Sequence, residues 1–268
     1  MIFLTTSGID IEFIKKQLKD KLNHSYIKQI IGNPTIDEDK LMFISTLINR
    51  QSTLSFIEKT QFIITTMLVQ IALDTHEHVP VAFHHDMNQE EKEANQLRVL
   101  AGDFYSGQYY YLLAQIDQFD FIQTLSIAIK EINENKMNLY YLDDNLLEKS
   151  VSIIKKIDTL LLSYVAKYFN DSSLNDLANE WLLIKRLIHE RNMFNNNEHS
   201  VFISKFVDSN PSFLHQLELL IEEKILTLKQ QLSVDFRDNL HDKEIVTYID
   251  KQINSKLLNY KTSIVEEG

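Results

Sequence analysis

Four of the nine histidines in this 268-residue chain lie within ten consecutive positions, in a stretch that also carries three carboxylates. The histidines are His76, His78, His84 and His85, and the carboxylates are Asp74, Glu77 and Asp86. Imidazole and carboxylate groups are ligands for divalent metals, so the stretch suggests a metal site. The spacing opposes a site on one helix face, because His76 and His78 would project about 200° apart on a helix. A polar loop or helix end with solvated histidines is the alternative.

A second stretch suggests an interface instead of catalysis. Residues 96–114 are predicted to form one helix, yet they contain Gly102 and Gly107, each of which destabilises a helix by about 1 kcal/mol relative to Ala. Gly102 and Ser106 are four residues apart and share a face, where small side chains allow another helix to approach closely. Tyrosines at positions 105, 109, 110 and 111 supply the amphipathic surface that is enriched at interfaces. The pattern fits a contact within the chain and a contact between subunits equally well.

The elements that position these groups are predicted to be helices. The chain contains 5 Gly and 3 Pro, far below the roughly 12% that the two residues together usually reach. Sandwiches, barrels and propellers need turn residues every 8–12 positions or so, and a doubly wound nucleotide-binding fold needs a Gly-rich turn after its first strand. Neither pattern occurs. We therefore expect an all-α fold, a single-domain bundle of about eight to ten helices over residues 1–268.

Identifiable signals separate the first two helices. Residues 9–31 have apolar side chains at helical spacing, and the helix should end where Gly32 and Pro34 follow. Thr35 is the expected cap of the second helix, because Glu38 three residues later completes a capping-box pattern.

The third helix is predicted to begin at Ser52 or Thr53 and to run to about Asp74. It is apolar on much of its circumference, which indicates a helix inside the bundle. Further helices are expected at about 89–116, 120–142, 146–169, 174–193, 211–232 and 242–260.

Charge and cysteine content indicate the cellular setting. The net charge of −11 opposes binding to nucleic acid or to an anionic membrane, and the basic pairs are typical of solvated helix faces. The absence of Cys excludes disulfides and thiolate metal sites. The N-terminus has no basic region, and no apolar run approaches the ~18 residues of a transmembrane segment. We expect a cytoplasmic protein without a nucleic-acid partner.

Three segments carry a resemblance to a known family: ALDTHEHVP at 72–80, LAGDFYSGQYYYLLA at 100–114 and AIKEINENKMNLY at 128–140. The first two are similar to the first half of a trans-polyprenyl diphosphate synthase, in which a helix with an Asp-rich magnesium motif precedes a helix with a Val-Leu-x-Gly-Asp segment. All three together resemble the small subunit (component I) of the bacterial heterodimeric heptaprenyl diphosphate synthases. The resemblance covers residues 62–141, LAGDFYSG is its most specific part, and it implies a prenyl-synthase-like fold.

The chain departs from the catalytic members of that family at the metal motifs. When His76 is aligned with the family histidine, Glu77, His78 and Val81 occupy the positions of the three magnesium-binding Asp residues. Mg²⁺ prefers carboxylate and phosphate oxygens to imidazole, so Glu77 alone could ligate as expected. The second Asp-rich motif is missing, since the Asp pair at 143–144 lies too early and Leu stands at 147. The resemblance therefore implies no catalytic residue and no metal or cofactor in this chain, with Mg²⁺ in a catalytic partner.

The resemblance implies an accessory subunit that pairs with a catalytic large subunit. Together they would condense isopentenyl diphosphate onto farnesyl diphosphate to give a heptaprenyl chain for menaquinone biosynthesis. Dimers of the family pack through the helix that corresponds to residues 98–114 and its neighbour, and the product chain can lie at that interface. The predicted interface residues are Arg98, Gly102, Asp103, Ser106, Tyr109 and Tyr110.

Two other interpretations stay open at this point. The pair His85-Asp86 matches the core dipeptide of the all-α, metal-dependent phosphohydrolases that are named after their HD motif. A helical interaction protein unrelated to isoprenoids is the other alternative.

Overall fold

The chain folds into helices throughout the part that the structure, a computed structural model, describes. This part comprises residues 9–79, 88–115, 118–142, 147–196, 198, 200–206, 212–234 and 243–266, with the backbone alone for 255–266. In chain order the helices are α1 (Ile11–Leu22), α2 (Ser25–Ile31), α3 (Glu38–Asn49), α4 (Phe56–Glu77), α5 (Gln89–Ala114), α6 (Phe119–Tyr140), α7 (Leu147–Tyr168), α8 (Asn175–Asn195), α9 (Val201–Ser204), α10 (Phe213–Val234) and α11 (Lys243–Glu266). The predicted all-α class is confirmed.

The structure has eleven helices in its described part. Two of them are short helices that the sequence did not predict. The helix expected over 9–31 is divided at Asn23, where the backbone becomes extended, and the Nδ1 atom of His24 then caps α2 by accepting a hydrogen bond from the Ile27 amide at 3.4 Å. The four-residue helix α9 has no counterpart in the prediction.

The predicted cap of the second long helix was wrong. Asp37, not Thr35, precedes α3, and its carboxylate accepts hydrogen bonds from the amides of Asp39 at 2.9 Å and Lys40 at 3.0 Å. Aspartate is as good a cap as threonine, and Asp37 directly precedes the first helical residue, Glu38. Glu38 therefore lies at the first helical position and not at the third.

The predicted start of the third long helix at Ser52 or Thr53 was wrong, because α4 begins at Phe56 and Ser55 forms its capping box. The Glu58 amide donates to Ser55 Oγ at 3.3 Å, and Glu58 Oε2 accepts from the Ser55 amide at 2.8 Å. This reciprocal pair satisfies two of the amides that a helix start leaves without partners.

Two compact units make up the chain. Unit 1 contains the described residues of Met1–Asn133 and Leu160–Leu174, and unit 2 those of Glu134–Thr159 and Asn175–Gly268. The expectation of a single domain over residues 1–268 stays a prediction.

Helix α4 is the centre of unit 1. Residues 62–73 are all buried, and α1, α3 and α5 pack against this helix. By length and composition α4 resembles a membrane span, but 67% of its apolar stretch is buried inside the protein. This burial is typical of the central helix of a bundle, as the apolar circumference predicted.

Aromatic side chains fill the core of unit 1 beside α4. The Phe62 ring contacts those of Phe121 and Phe169, with centroid distances of 4.7 and 5.2 Å, and Phe121 also contacts Tyr168 at 4.9 Å. These edge-to-face contacts join α4 to the nearby parts of α6 and α7, and they add packing specificity to the burial of large apolar surfaces.

Unit 2 is held together by an aromatic core and by buried ion pairs. Phe202, Phe206 and Phe213 are fully buried and contact one another. The carboxylate of Glu190, also fully buried, accepts hydrogen bonds from Arg186 Nε at 2.8 Å and Ser200 Oγ at 2.5 Å. Since a buried carboxylate is costly without partners, these bonds fix the segment before α9 against α8.

A second ion cluster in unit 2 connects α7, α8 and α10. Glu180 of α8 pairs with Lys155 of α7 and lies 3.5 Å from the ammonium of Lys224 on α10. Burial raises the pKa of Glu180, but the hydrogen bond and charge of Lys155, helped by Lys224, outweigh it, so the pKa lies below its ordinary value of about 4.5.

Glu180→Gln is expected to destabilise the protein by roughly 1.5–3 kcal/mol at pH 7, because it removes a charge-assisted hydrogen bond. A lowered pKa in the folded state means that the stabilisation is present above about pH 4.5 and is lost as the pH falls through the folded-state pKa. Denaturant unfolding of both proteins between pH 7 and pH 3 measures the difference. A difference that stays constant over this range would contradict the assignment.

Candidate functional site on helices α4 and α5

The carboxyl end of α4 uses several of its polar side chains to complete the helix. Gln70 donates to the Asp74 carboxylate at 2.7 Å, and His78, the C-cap, places its Nδ1 atom 2.6 Å from the backbone oxygen of Asp74. His78 therefore satisfies a carbonyl that the end of a helix leaves without a partner.

This arrangement does not fit the magnesium motif of a prenyl synthase. Of the three motif positions, Glu77 supplies the single carboxylate, and the His78 imidazole is bonded to the Asp74 backbone. Mg²⁺ is bound by oxygen ligands in octahedral geometry, and an imidazole offers nitrogen instead of oxygen. Within the described ranges, no three His, Asp or Glu side chains are grouped so that they could hold a metal ion. Val81 and the pair His85-Asp86 lie outside the described residues.

The His76 side chain of α4 lies against Gly102 of α5. A Cβ atom added to Gly102 of α5 would lie 2.7 Å or less from three atoms of the His76 ring. The imidazole therefore fills the space that a side chain at position 102 would take. Its Nε2 atom is also 3.6 Å from the Asp103 carboxylate, so the ring contacts two consecutive residues of α5.

The six residues predicted at a subunit interface divide between two faces of α5. Gly102 and Tyr109 are buried, and Arg98 and Ser106 are half-buried. Arg98 donates a hydrogen bond to the buried side chain of Asn95. Asp103 and Tyr110 are exposed, and their assignment to an interface stays a prediction, as does that of the other four.

Most of the exposed face of α5 was not among the residues predicted from the sequence. We call it the outer face of α5, and it consists of Val99, Leu100, Asp103, Gly107, Tyr110 and Tyr111. Leu100 and Tyr111 are 62% and 61% exposed, which is high for such large apolar side chains. The spacing of three, four and seven residues was visible in the sequence, but α5 has apolar side chains on both faces, so the pattern did not say which face is buried.

Two buried tyrosines of α5, Tyr105 and Tyr109, lie on the side of the helix opposite the outer face. Burial raises the pKa of Tyr105, and burial together with a hydrogen bond to Tyr110 raises the pKa of Tyr109, so both phenols stay neutral at physiological pH. The rings of Tyr109 and Tyr110 lie 4.2 Å apart between centroids, so the exposed Tyr110 ring packs against a buried one.

The fold is similar to that of two solved prenyl diphosphate synthases. Octaprenyl pyrophosphate synthase from Helicobacter pylori matches 89% of this chain and 97% of its own chain, with a TM-score of 0.58 and 11% identity. Decaprenyl diphosphate synthase from Rhodobacter capsulatus matches 91% of this chain and 96% of its own, with a TM-score of 0.57 and 11% identity. This similarity shows that the chain has the all-α fold of prenyl diphosphate synthases.

Sequence comparisons show the family to which this chain belongs. The family described as heptaprenyl diphosphate synthase (HEPPP synthase) subunit 1 matches residues 24–234, most of the chain, and the protein therefore belongs to this family. Heptaprenyl diphosphate synthase component 1 of Geobacillus stearothermophilus is 36% identical over 137 residues. That alignment covers 51% of this chain and 60% of the relative. Family membership confirms the resemblance. It is preferred to the two alternatives, an HD-type phosphohydrolase and a helical interaction protein unrelated to isoprenoids.

Gly102→Ala is expected to lower the free energy of unfolding by up to about 2 kcal/mol, because the overlap of the added methyl group with the His76 ring outweighs the gain of about 1 kcal/mol in helix propensity. Denaturant unfolding measures the change. In a His76→Ala background the space is open, so the same substitution should be neutral or stabilising, because alanine favours the helix by about 1 kcal/mol. An equal loss in both backgrounds would show that the ring does not set the size limit at position 102.

Proposed function

We propose that this protein is the accessory subunit of a heterodimeric heptaprenyl diphosphate synthase. The observation that carries the proposal is the match of the subunit 1 family to residues 24–234. The name of the Geobacillus relative, component 1, supports the existence of a second component, which we take to be a catalytic large subunit.

In this proposal the partner performs the chemistry. Ionising an allylic diphosphate requires Mg²⁺ to neutralise the departing charge, and this needs several carboxylates on one helix face. The bonding of His78 to its own helix supports the view that α4 of this chain does not supply that site. Mg²⁺ and both Asp-rich motifs then belong to the large subunit.

The role of this subunit is steric and structural. Docked on the large subunit, its apolar helix faces line part of the space that holds the growing prenyl chain and help to set the product length. The substrates are isopentenyl and farnesyl diphosphate, and the heptaprenyl product becomes the side chain of menaquinone. We place the complex in the cytoplasm.

Reconstitution tests this function. The purified chain, supplied with isopentenyl diphosphate, farnesyl diphosphate and Mg²⁺, should give no prenyl product, because it lacks the carboxylates that bind the metal–diphosphate complex. Adding the large subunit of the same organism should produce a heptaprenyl-length diphosphate, detected by chromatography. The large subunit assayed without this chain is the control. Sustained turnover by this chain alone would overturn the proposal.

A further inference from the structure

Two leucines of α10 lie on the exposed side of that helix. Leu219 and Leu226 are 52% and 61% exposed, whereas Leu217, Ile221 and Ile225 on the other side of the helix are buried in unit 2. The two exposed leucines are seven residues apart, so they lie two turns, roughly 10 Å, from each other along one face. The core of unit 2 does not use this face.

Two carboxylates flank the line between these leucines. Glu222 and Glu223 are exposed, and each lies within four residues of both Leu219 and Leu226. Consecutive residues of a helix project about 100° apart, so one carboxylate lies on each side of the leucines. We call these four residues the acidic leucine face of α10. An exposed apolar patch with a polar rim is typical of a surface that binds another protein.

In the described range of α10, no exposed lysine or arginine balances these carboxylates. The two lysines of the helix are half-buried and bonded elsewhere in unit 2. The ammonium of Lys224 lies 3.5 Å from the Glu180 carboxylate, and Lys229 donates a hydrogen bond to Asn254 Oδ1 at 2.7 Å. The acidic leucine face therefore combines apolar surface with two negative charges.

The charge distinguishes the classes of molecule that could bind this face. If a second copy docked by a two-fold axis across the middle of the face, Leu219 would meet the other copy's Leu226, and four glutamate carboxylates would gather at the axis. These carboxylates would repel one another, and an anionic membrane or a nucleic acid would be repelled in the same way. A helix with an apolar ridge and basic side chains on both sides of it complements the leucines and the carboxylates together.

We propose that the acidic leucine face of α10 binds a basic amphipathic helix of another protein. Apolar side chains of that helix, seven residues apart, pack on Leu219 and Leu226, and its Lys or Arg side chains pair with Glu222 and Glu223. The six residues predicted to contact a large subunit all lie on α5 in unit 1, so we assign this surface of unit 2 to a third protein.

A designed peptide tests this surface on the full chain. The probe is a fluorescent, amidated peptide of about 14 residues, roughly four helical turns, with leucines on one face and lysines on both sides of them. It should bind saturably, measured by fluorescence anisotropy, and hydrogen exchange should show protection on α10. A matched peptide with glutamate in place of lysine should not bind, because its charges repel Glu222 and Glu223.

Substitution of the leucines tests the apolar contact. Leu219→Ser/Leu226→Ser should raise the Kd of the lysine peptide by about tenfold or more, because the variant loses apolar contact area and keeps both carboxylates. Leu100→Ser on α5 is the matched control, since Leu100 is 62% exposed, and it should leave the Kd unchanged.

Substitution of the carboxylates tests the charge. Glu222→Gln/Glu223→Gln should raise the Kd of the lysine peptide and reduce its dependence on salt concentration, because two ion pairs are lost. Glu148→Gln, at an exposed position of α7, is the control and should change neither quantity.

Three results would overturn the inference. The first is binding of the lysine peptide that is equally tight in Leu219→Ser/Leu226→Ser, or that protects helices other than α10. The second is a homodimer of the free chain that this variant dissociates, which would assign the face to a second copy. The third is loss of large-subunit binding in the same variant, which would assign the face to the large subunit and leave the proposed function in place.

Discussion

The burial of α4 on nearly all sides is the constraint on which unit 1 depends. Twelve consecutive side chains, residues 62–73, are withdrawn from water, and at about 25 cal/mol per Å² their apolar surface is a large stabilising contribution. A helix of this kind cannot lie at a surface, so α1, α3 and α5 must cover it. The positions of these three helices follow from the need to enclose α4.

The contact between His76 and Gly102 is one part of the packing of α5 on α4. The imidazole takes the space of a side chain, so the rotation of α5 about its own axis is restricted at that point. With Gly102 and Tyr109 turned inward, helical geometry turns Asp103, Gly107 and Tyr110 outward. The packing of α5 on α4 thus leaves the outer face of α5 exposed.

Most of the fold could be predicted from the sequence, because apolar residues at helical spacing and few Gly or Pro residues leave little choice but helices. The first residue of each helix was harder to predict, since Ser, Thr and Asp are all good caps and several occur within a few residues of one another. Asp37 competed with Thr35, and Ser55 with Ser52. The orientation of α5 could not be read from its sequence, because its two faces are similarly apolar and one glycine lies on each. Deciding between Gly102 and Gly107 required knowing where His76 lies.

The composition of α4 has a consequence for the synthesis of the protein. Its 22 residues have the length and hydropathy of a membrane span, and they leave the ribosome before the 26 residues of α5 that help to cover them. At roughly 5–20 residues per second, this delay lasts a few seconds. During that time the nascent chain exposes a segment that membrane-insertion machinery and chaperones both recognise. Docking of α5 therefore ends the exposure of this segment during synthesis as well as adding to the final stability.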